Sequence, residues 1–104
     1  MNIVVTALHQ DGTEEATKQH ARTHVEKLTR YYDLIQEIRV TLDHGRQGHD
    51  GHRCEIIVDA EHKNEFVADA HDDKPIHAVD ACIEKLKRQL SEHKEKHKNR
   101  KHPH

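Results

Sequence analysis

The sequence predicts an α+β domain with the element order β-α-β-β-β-α, in which two helices cover one face of a four-stranded sheet. Several short segments alternate apolar and polar residues, which is typical of half-buried strands. Two longer segments repeat apolar residues every three or four positions, as amphipathic helices do. A length of 104 residues suits a single domain with one thin core.

The first strand and the first helix are predicted from the N-terminal third of the chain. Residues Asn2–Leu8 are rich in β-branched residues and nearly continuously apolar, which predicts a strand covered on one face and flanked by neighbours. Asp11 to Thr13 are predicted to form a turn, with Asp11 or Thr13 placed to cap a helix. The helix is predicted to run to about Arg30, with an apolar stripe formed by Ala21, Val25, Leu28 and Tyr32.

Three further strands are predicted in the middle of the chain. They span about residues 35–43, 53–61 and 66–71, and Ile38, Val40 and Leu42 mark the apolar side of the first. Residues 44–52 contain three glycines and no apolar residue, so they are predicted to form a hairpin loop. A tight turn at residues 61–64 joins the last two strands.

The last helix is predicted to begin near Pro75, a residue favoured at the first helical position. Its apolar stripe comprises Ile76, Val79, Ile83, Leu86 and Leu90. No apolar residue follows Leu90, so the helix is expected to continue into solvent. We therefore divide the chain into a folded domain at residues 1–92 and a basic, His-rich tail at residues 93–104.

The charges are segregated along the chain. Residues 1–83 hold 9 basic and 16 acidic residues, a net charge of −7, whereas residues 84–104 hold 8 basic and 3 acidic residues, a net charge of +5. Such segregation points to a polyanionic partner for the C-terminal part. A solvated helix end explains the same charges about equally well.

Several function classes find no support in the sequence. The chain has no Gly-rich phosphate loop, no His-Glu-x-x-His and no Cys-x-x-Cys motif, so we expect no enzyme and no cofactor. There is no membrane-length apolar segment and no signal peptide, so we expect a cytoplasmic protein without a membrane partner. Cys54 and Cys82 are then expected to be reduced and buried.

Histidine is abundant, with 13 residues. His44, His49 and His52 lie in the predicted hairpin loop just before Cys54, and such ligands could hold Zn²⁺. Their spacing matches no closed zinc motif, and Cys54 is expected to face the core. The loop is therefore only a weak candidate metal site.

Three motifs resemble the family of ribosome hibernation promoting factors and ribosome-associated translation inhibitors. Residues 27–35, Lys-Leu-Thr-Arg-Tyr-Tyr-Asp-Leu-Ile, resemble that family's Lys-Leu-x-x-Tyr-Phe-Asp-x-Ile. Residues 78–80, Ala-Val-Asp, resemble its Ala-Ile-Asp. Residues 85–94, Lys-Leu-Lys-Arg-Gln-Leu-Ser-Glu-His-Lys, resemble its Lys-Leu-x-Arg-Gln-Leu-x-Lys-His-Lys. Together with the order of elements, the likeness covers almost the whole chain.

The resemblance implies a fold similar to double-stranded RNA-binding domains and binding to the small ribosomal subunit, across the channel for mRNA and tRNA. It also implies contacts with ribosomal RNA from both helices, at Lys18, Arg22, Lys27, Lys85, Arg88 and Lys94. Charge alone adds Lys87 in the last helix and Lys96, Lys98, Arg100 and Lys101 in the tail.

The sequence departs from the family pattern at a few positions. Glu92 stands where relatives usually have Lys, Ile76 replaces a Tyr, and Lys74 replaces an Asp. Because the chain ends at His104, we expect the short form of the family, a monomer when free, which would need a separate factor to dimerise ribosomes. The basic tail favours the hibernation-promoting subtype. Two alternatives stay open, a zinc-binding His-rich protein and a generic double-stranded RNA binder.

Overall fold

A computed structural model describes residues 2–8, 14–44 and 51–100 of the chain. The elements, in chain order, are β1 (Asn2–Leu8), α1 (Glu14–Glu26), α2 (Leu28–Tyr31), β2 (Ile35–His44), β3 (His52–Ala60), β4 (Asn64–Asp72) and α3 (Pro75–Arg100). The predicted α+β fold is confirmed. The predicted caps at Asp11 and Thr13 lie outside the described residues.

The four strands form one sheet in the order β1-β2-β3-β4. β1 pairs with β2 in parallel, whereas β2–β3 and β3–β4 are antiparallel hairpin pairs. β1 is thus an edge strand and is not flanked by neighbours on both sides as predicted. The helical crossover places β2 beside β1, and the two hairpins then add β3 and β4 on the far side of β2. Val4 and Leu8 are exposed because they lie on the face of β1 opposite to Ile3, Val5 and Ala7, which pack against the core.

The core lies between the sheet and the helices. Apolar residues on β2, β3 and β4 align in rows across the sheet, such as Val40–Ile56–Ala68. Val25 and Leu28 from α1 and α2, and Leu86 and Leu90 from α3, are all 0% exposed. The predicted helical stripes therefore face the sheet, where burial of apolar surface holds the helices in place.

The structure corrects two details of the helices. The first helix was predicted to continue to about Arg30, but it breaks at Lys27. Backbone hydrogen bonds there join residues three apart, Lys27 N to His24 O and Arg30 N to Lys27 O, and the Thr29 hydroxyl donates to Glu26 O at 2.7 Å. These contacts tighten the turn and replace regular helical hydrogen bonds.

Ile76 was predicted to belong to the core stripe of α3, but it is 37% exposed. It lies in the first helical turn and at the margin of the stripe, so no preceding turn covers it. The buried face of α3 begins instead with Ala78 and Val79.

Candidate RNA-binding surface

Two of the predicted RNA contacts, Arg22 in α1 and Lys85 in α3, do not belong to one patch. Arg22 donates to the backbone oxygen of Ile3 at 3.3 Å, which directs its side chain to the β1 edge of the sheet. Lys85 donates to the backbone oxygen of Asp69 in β4 at 2.7 Å. Because β1 and β4 are opposite edges of the sheet, these two cations lie on opposite flanks of the helical layer. Lys18 is half-buried on α1.

A second group of predicted residues does come together, around the exposed ring of Tyr31. Lys87 and Arg88 line a shallow depression with Tyr31, and the same depression also contains Glu84, Ser91 and Glu92. The ammonium of Lys94 donates to the Tyr31 backbone oxygen at 3.1 Å and lies 5.6 Å from the centre of its ring, a cation–π contact. We call Tyr31, Lys87, Arg88 and Lys94 the Tyr31 cluster.

Charges within the Tyr31 cluster are only partly compensated. Lys87 lies 3.4 Å from the carboxylate of Glu84, a pair exposed to solvent and therefore weak. Arg88 is exposed and forms no ion pair with any other residue that the structure describes. Arg88 is thus the member of the cluster most readily available to an anion.

Lys27 lies at the break between α1 and α2, where it lines a neighbouring depression with Arg30. Arg30 is exposed and was not among the predicted site residues. Its spacing of three residues from Lys27 within a helical segment was the signal that could have identified it.

Some predicted contacts fall in the tail. Lys96, Lys98 and Arg100 belong to the last turns of α3, but the structure does not describe their side chains, and Lys101 lies outside the described residues. The preceding residues do contact the domain. His93 packs edge-on against Tyr32 and Phe66, with ring centres 5.7 and 5.2 Å apart. The boundary at residues 92 and 93 stays a prediction.

On the open face of the sheet, which is the face turned away from the helices, arginines are paired with carboxylates. Arg39 is paired with Asp59 at 3.0 Å and with Glu37 at 3.2 Å, and Arg53 is paired with Asp69 at 3.2 Å and with Glu55 at 3.4 Å. Arg39 and Arg53 are therefore both paired with carboxylates. A polyanion would find a better surface on the helical side.

The weak candidate metal site is only partly described. His44 and His52 are not loop residues, because they end β2 and begin β3 and lie opposite each other in register. Their ring centres are 4.2 Å apart. His49 lies outside the described residues, and Cys54 is buried in the core as predicted.

A different histidine group lies between α1 and α3 and was missed by the sequence reasoning. The rings of His20 and His24 are in contact, with centres 4.0 Å apart and planes tilted by 41°, and His20 Nε2 lies 2.7 Å from Asp80 Oδ1. The pKa of His24 is lowered, first by burial and then by the charges of His20 and Lys27. The spacing of four residues between the two histidines was visible in the sequence, but their meeting with Asp80 depends on tertiary structure.

Comparison with known proteins supports the family that the motifs resemble. A family model described as "Sigma 54 modulation protein / S30EA ribosomal protein" matches residues 3–98. No curated protein matches the sequence significantly.

Two solved structures share the fold. A ribosomal subunit interface protein from Coxiella burnetii is 21% identical, with a TM-score of 0.76, over 90% of this chain and 98% of that one. The N-terminal domain of Protein Y from Thermus thermophilus is 24% identical, with a TM-score of 0.71, over 86% of this chain and 96% of that one. No helix in the described ranges is long and apolar enough to cross a membrane. Because the family model covers most of the sequence, this chain belongs to the Sigma 54 modulation protein / S30EA ribosomal protein family, which includes the hibernation promoting factors.

Proposed function

We propose that this chain is a stress or stationary-phase factor that binds the small ribosomal subunit, occupies its channel for mRNA and tRNA, and so inhibits translation and promotes hibernation of the ribosome. The observation that carries the proposal is the family match over residues 3–98. In this mechanism the protein needs no catalytic group, because phosphate contacts position the domain and its bulk excludes mRNA and tRNA. It acts in the cytoplasm, as a monomer when free, and a separate factor would dimerise the ribosomes.

The distribution of charge supports the helical side as the RNA-binding surface. Arg39 and Arg53 on the open sheet face are paired with carboxylates, whereas Arg88 is exposed and Lys85 donates to a backbone oxygen, with no carboxylate partner among the described residues. A phosphate that approaches α3 therefore does not need to displace a carboxylate from these two side chains. Release of counterions from RNA would then drive association.

Charge reversal on α3 tests this surface. The double variant Lys85→Glu/Arg88→Glu should lose co-sedimentation with ribosomes, because two phosphate contacts become repulsive. Its melting temperature should change little, since both side chains are exposed. Measurements by sedimentation and by thermal unfolding check the two expectations.

The matched control is Lys63→Glu/Lys74→Glu, which makes the same change in net charge at exposed positions outside the helices. This control should still co-sediment. If the α3 variant binds ribosomes as tightly as the control does, the assigned surface is wrong. Competition with long duplex RNA tests the alternative of a generic RNA binder, which would release the ribosome when duplex is added.

A further inference from the structure

Three side chains with metal-binding atoms converge in the groove between α1 and α3. His20 and His24 lie one helical turn apart on α1, and Asp80 reaches them from α3. One ligand atom from each of the three residues lies within 4.8 Å of the others. Among the residues that the structure describes, this is the one such group of three.

We propose that His20, His24 and Asp80 bind a single divalent ion of the zinc class, such as Zn²⁺ or Co²⁺. Two imidazole nitrogens and one carboxylate oxygen are a donor set that these borderline ions favour, whereas Mg²⁺ and Ca²⁺ prefer oxygen ligands. Three protein ligands leave a fourth tetrahedral position for water. The proposal does not depend on ribosome binding.

The distances require only small movements. Bonds of about 2.0–2.1 Å in a tetrahedral site place the ligand atoms about 3.4 Å apart. The contact of 2.7 Å between His20 Nε2 and Asp80 Oδ1 must therefore open slightly. The other separations, which are at most 4.8 Å, must close by no more than about 1.4 Å, a shift that side-chain rotation supplies at this partly exposed site.

A hydrogen bond between His20 and Asp80 explains the approach of those two residues but not the position of His24. His24 contacts His20 on the same face of α1, so a second imidazole lies beside the carboxylate. Lys27 and Lys87 are near enough to His24 to act on its charge state, and their repulsion lowers the affinity for a cation. We therefore expect a site of moderate affinity rather than a permanent structural metal centre.

The position of the site gives it a second, measurable consequence. Its ligands come from two separate helices, so a bound ion cross-links α1 to α3 in the folded state. An ion that binds the native chain more tightly than the unfolded chain raises the melting temperature. The rise should disappear when any one ligand is removed.

The test is a titration of ZnCl₂ into the full chain, produced without a polyhistidine tag, followed by calorimetry. We compare the variants His24→Gln and Asp80→Asn with two controls. His71→Gln removes an exposed histidine from β4, and His44→Gln disrupts the histidine pair at the ends of β2 and β3. Nuclear magnetic resonance of the imidazole carbons identifies which histidines respond to the first equivalent of Zn²⁺.

The expected result is one site in the wild type, with resonance shifts at His20 and His24. Each ligand variant should lose at least about tenfold in affinity, because even outer-shell changes at metal sites cost that much. The same variants should lose the zinc-dependent rise in melting temperature, and both controls should keep it. The proposal is overturned if His24→Gln binds the first equivalent like the wild type, or if His44→Gln removes it.

Discussion

The two cysteines show how the environment of a side chain sets its ionisation. Cys54 in β3 and Cys82 in α3 are both 0% exposed, and the Cys82 thiol donates to the Ala68 backbone oxygen at 3.3 Å. A hydrogen bond with Cys82, and then burial, raise the pKa of Cys54 far above its usual range. The sequence predicted burial from the alternation of β3, but the contact between the two thiols required the tertiary structure.

We expect both thiols to be unreactive in the native protein. The thiolate is the form that attacks a disulfide reagent, and a raised pKa keeps Cys54 protonated. In the unfolded chain the thiol ionises as pH rises through about 8.5, whereas the raised pKa keeps it protonated in the folded chain. The contribution of this group to stability is therefore fully present below that pH and is lost progressively as pH rises above it. Labelling with a coloured disulfide reagent should proceed only after addition of denaturant, and rapid labelling of the native protein would contradict the assignment.

At the scale of elements, residue periodicity predicted what faces the core but not how segments end or meet. The stripes of the first and last helices are buried because a spacing of three and four residues defines one helical face whatever the partner. The break at Lys27 escaped prediction because it depends on local hydrogen bonds at Thr29. The separation of Arg22 from Lys85 was not predicted, because helix periodicity does not reveal which edge of the sheet each helix borders.

Leu86 and Ile76 provide a direct test of the stripe on α3. Leu86 is 0% exposed, so Leu86→Ala should lower the free energy of unfolding by about 2–5 kcal/mol, the usual cost of a cavity at a core Leu. Ile76→Ala, at an exposed position of the same helix, should cost within about 0.5 kcal/mol. Urea unfolding of both variants measures the difference, and similar losses would show that α3 packs in another rotation.

At the scale of the whole molecule, the fold separates charge by face and by end. The cations on the open sheet face are paired with carboxylates, whereas α3 carries cations along its exposed side and beyond the core. α3 has 26 residues, and Leu90 is the last buried one among those up to residue 94, whose side chains the structure describes. At about 1.5 Å per residue, the ten residues that follow extend roughly 15 Å, although His93 and Lys94 still contact the domain.

The basic end of the chain should therefore contribute to ribosome binding through its charge, and it should contribute little to the stability of the folded domain. Residues 95–104 carry Lys96, Lys98, Arg100 and Lys101 against Glu95, and contain no apolar residue apart from Pro103. Deletion of residues 95–104 should weaken ribosome binding without unfolding the domain, because the contacts of His93 and Lys94 remain.

Salt dependence measures how many tail cations contact phosphate. Each neutralised phosphate contributes about −0.7 to −0.9 to the slope of log affinity against log salt, so loss of four contacts should flatten the slope by about 3 units. A full-length variant with these four cations changed to Gln should show the same slope as the deletion, because both changes remove the same four positive charges. Equal slopes for wild type, deletion and Gln variant would mean that the tail does not touch RNA, and that its charge only solvates the end of α3.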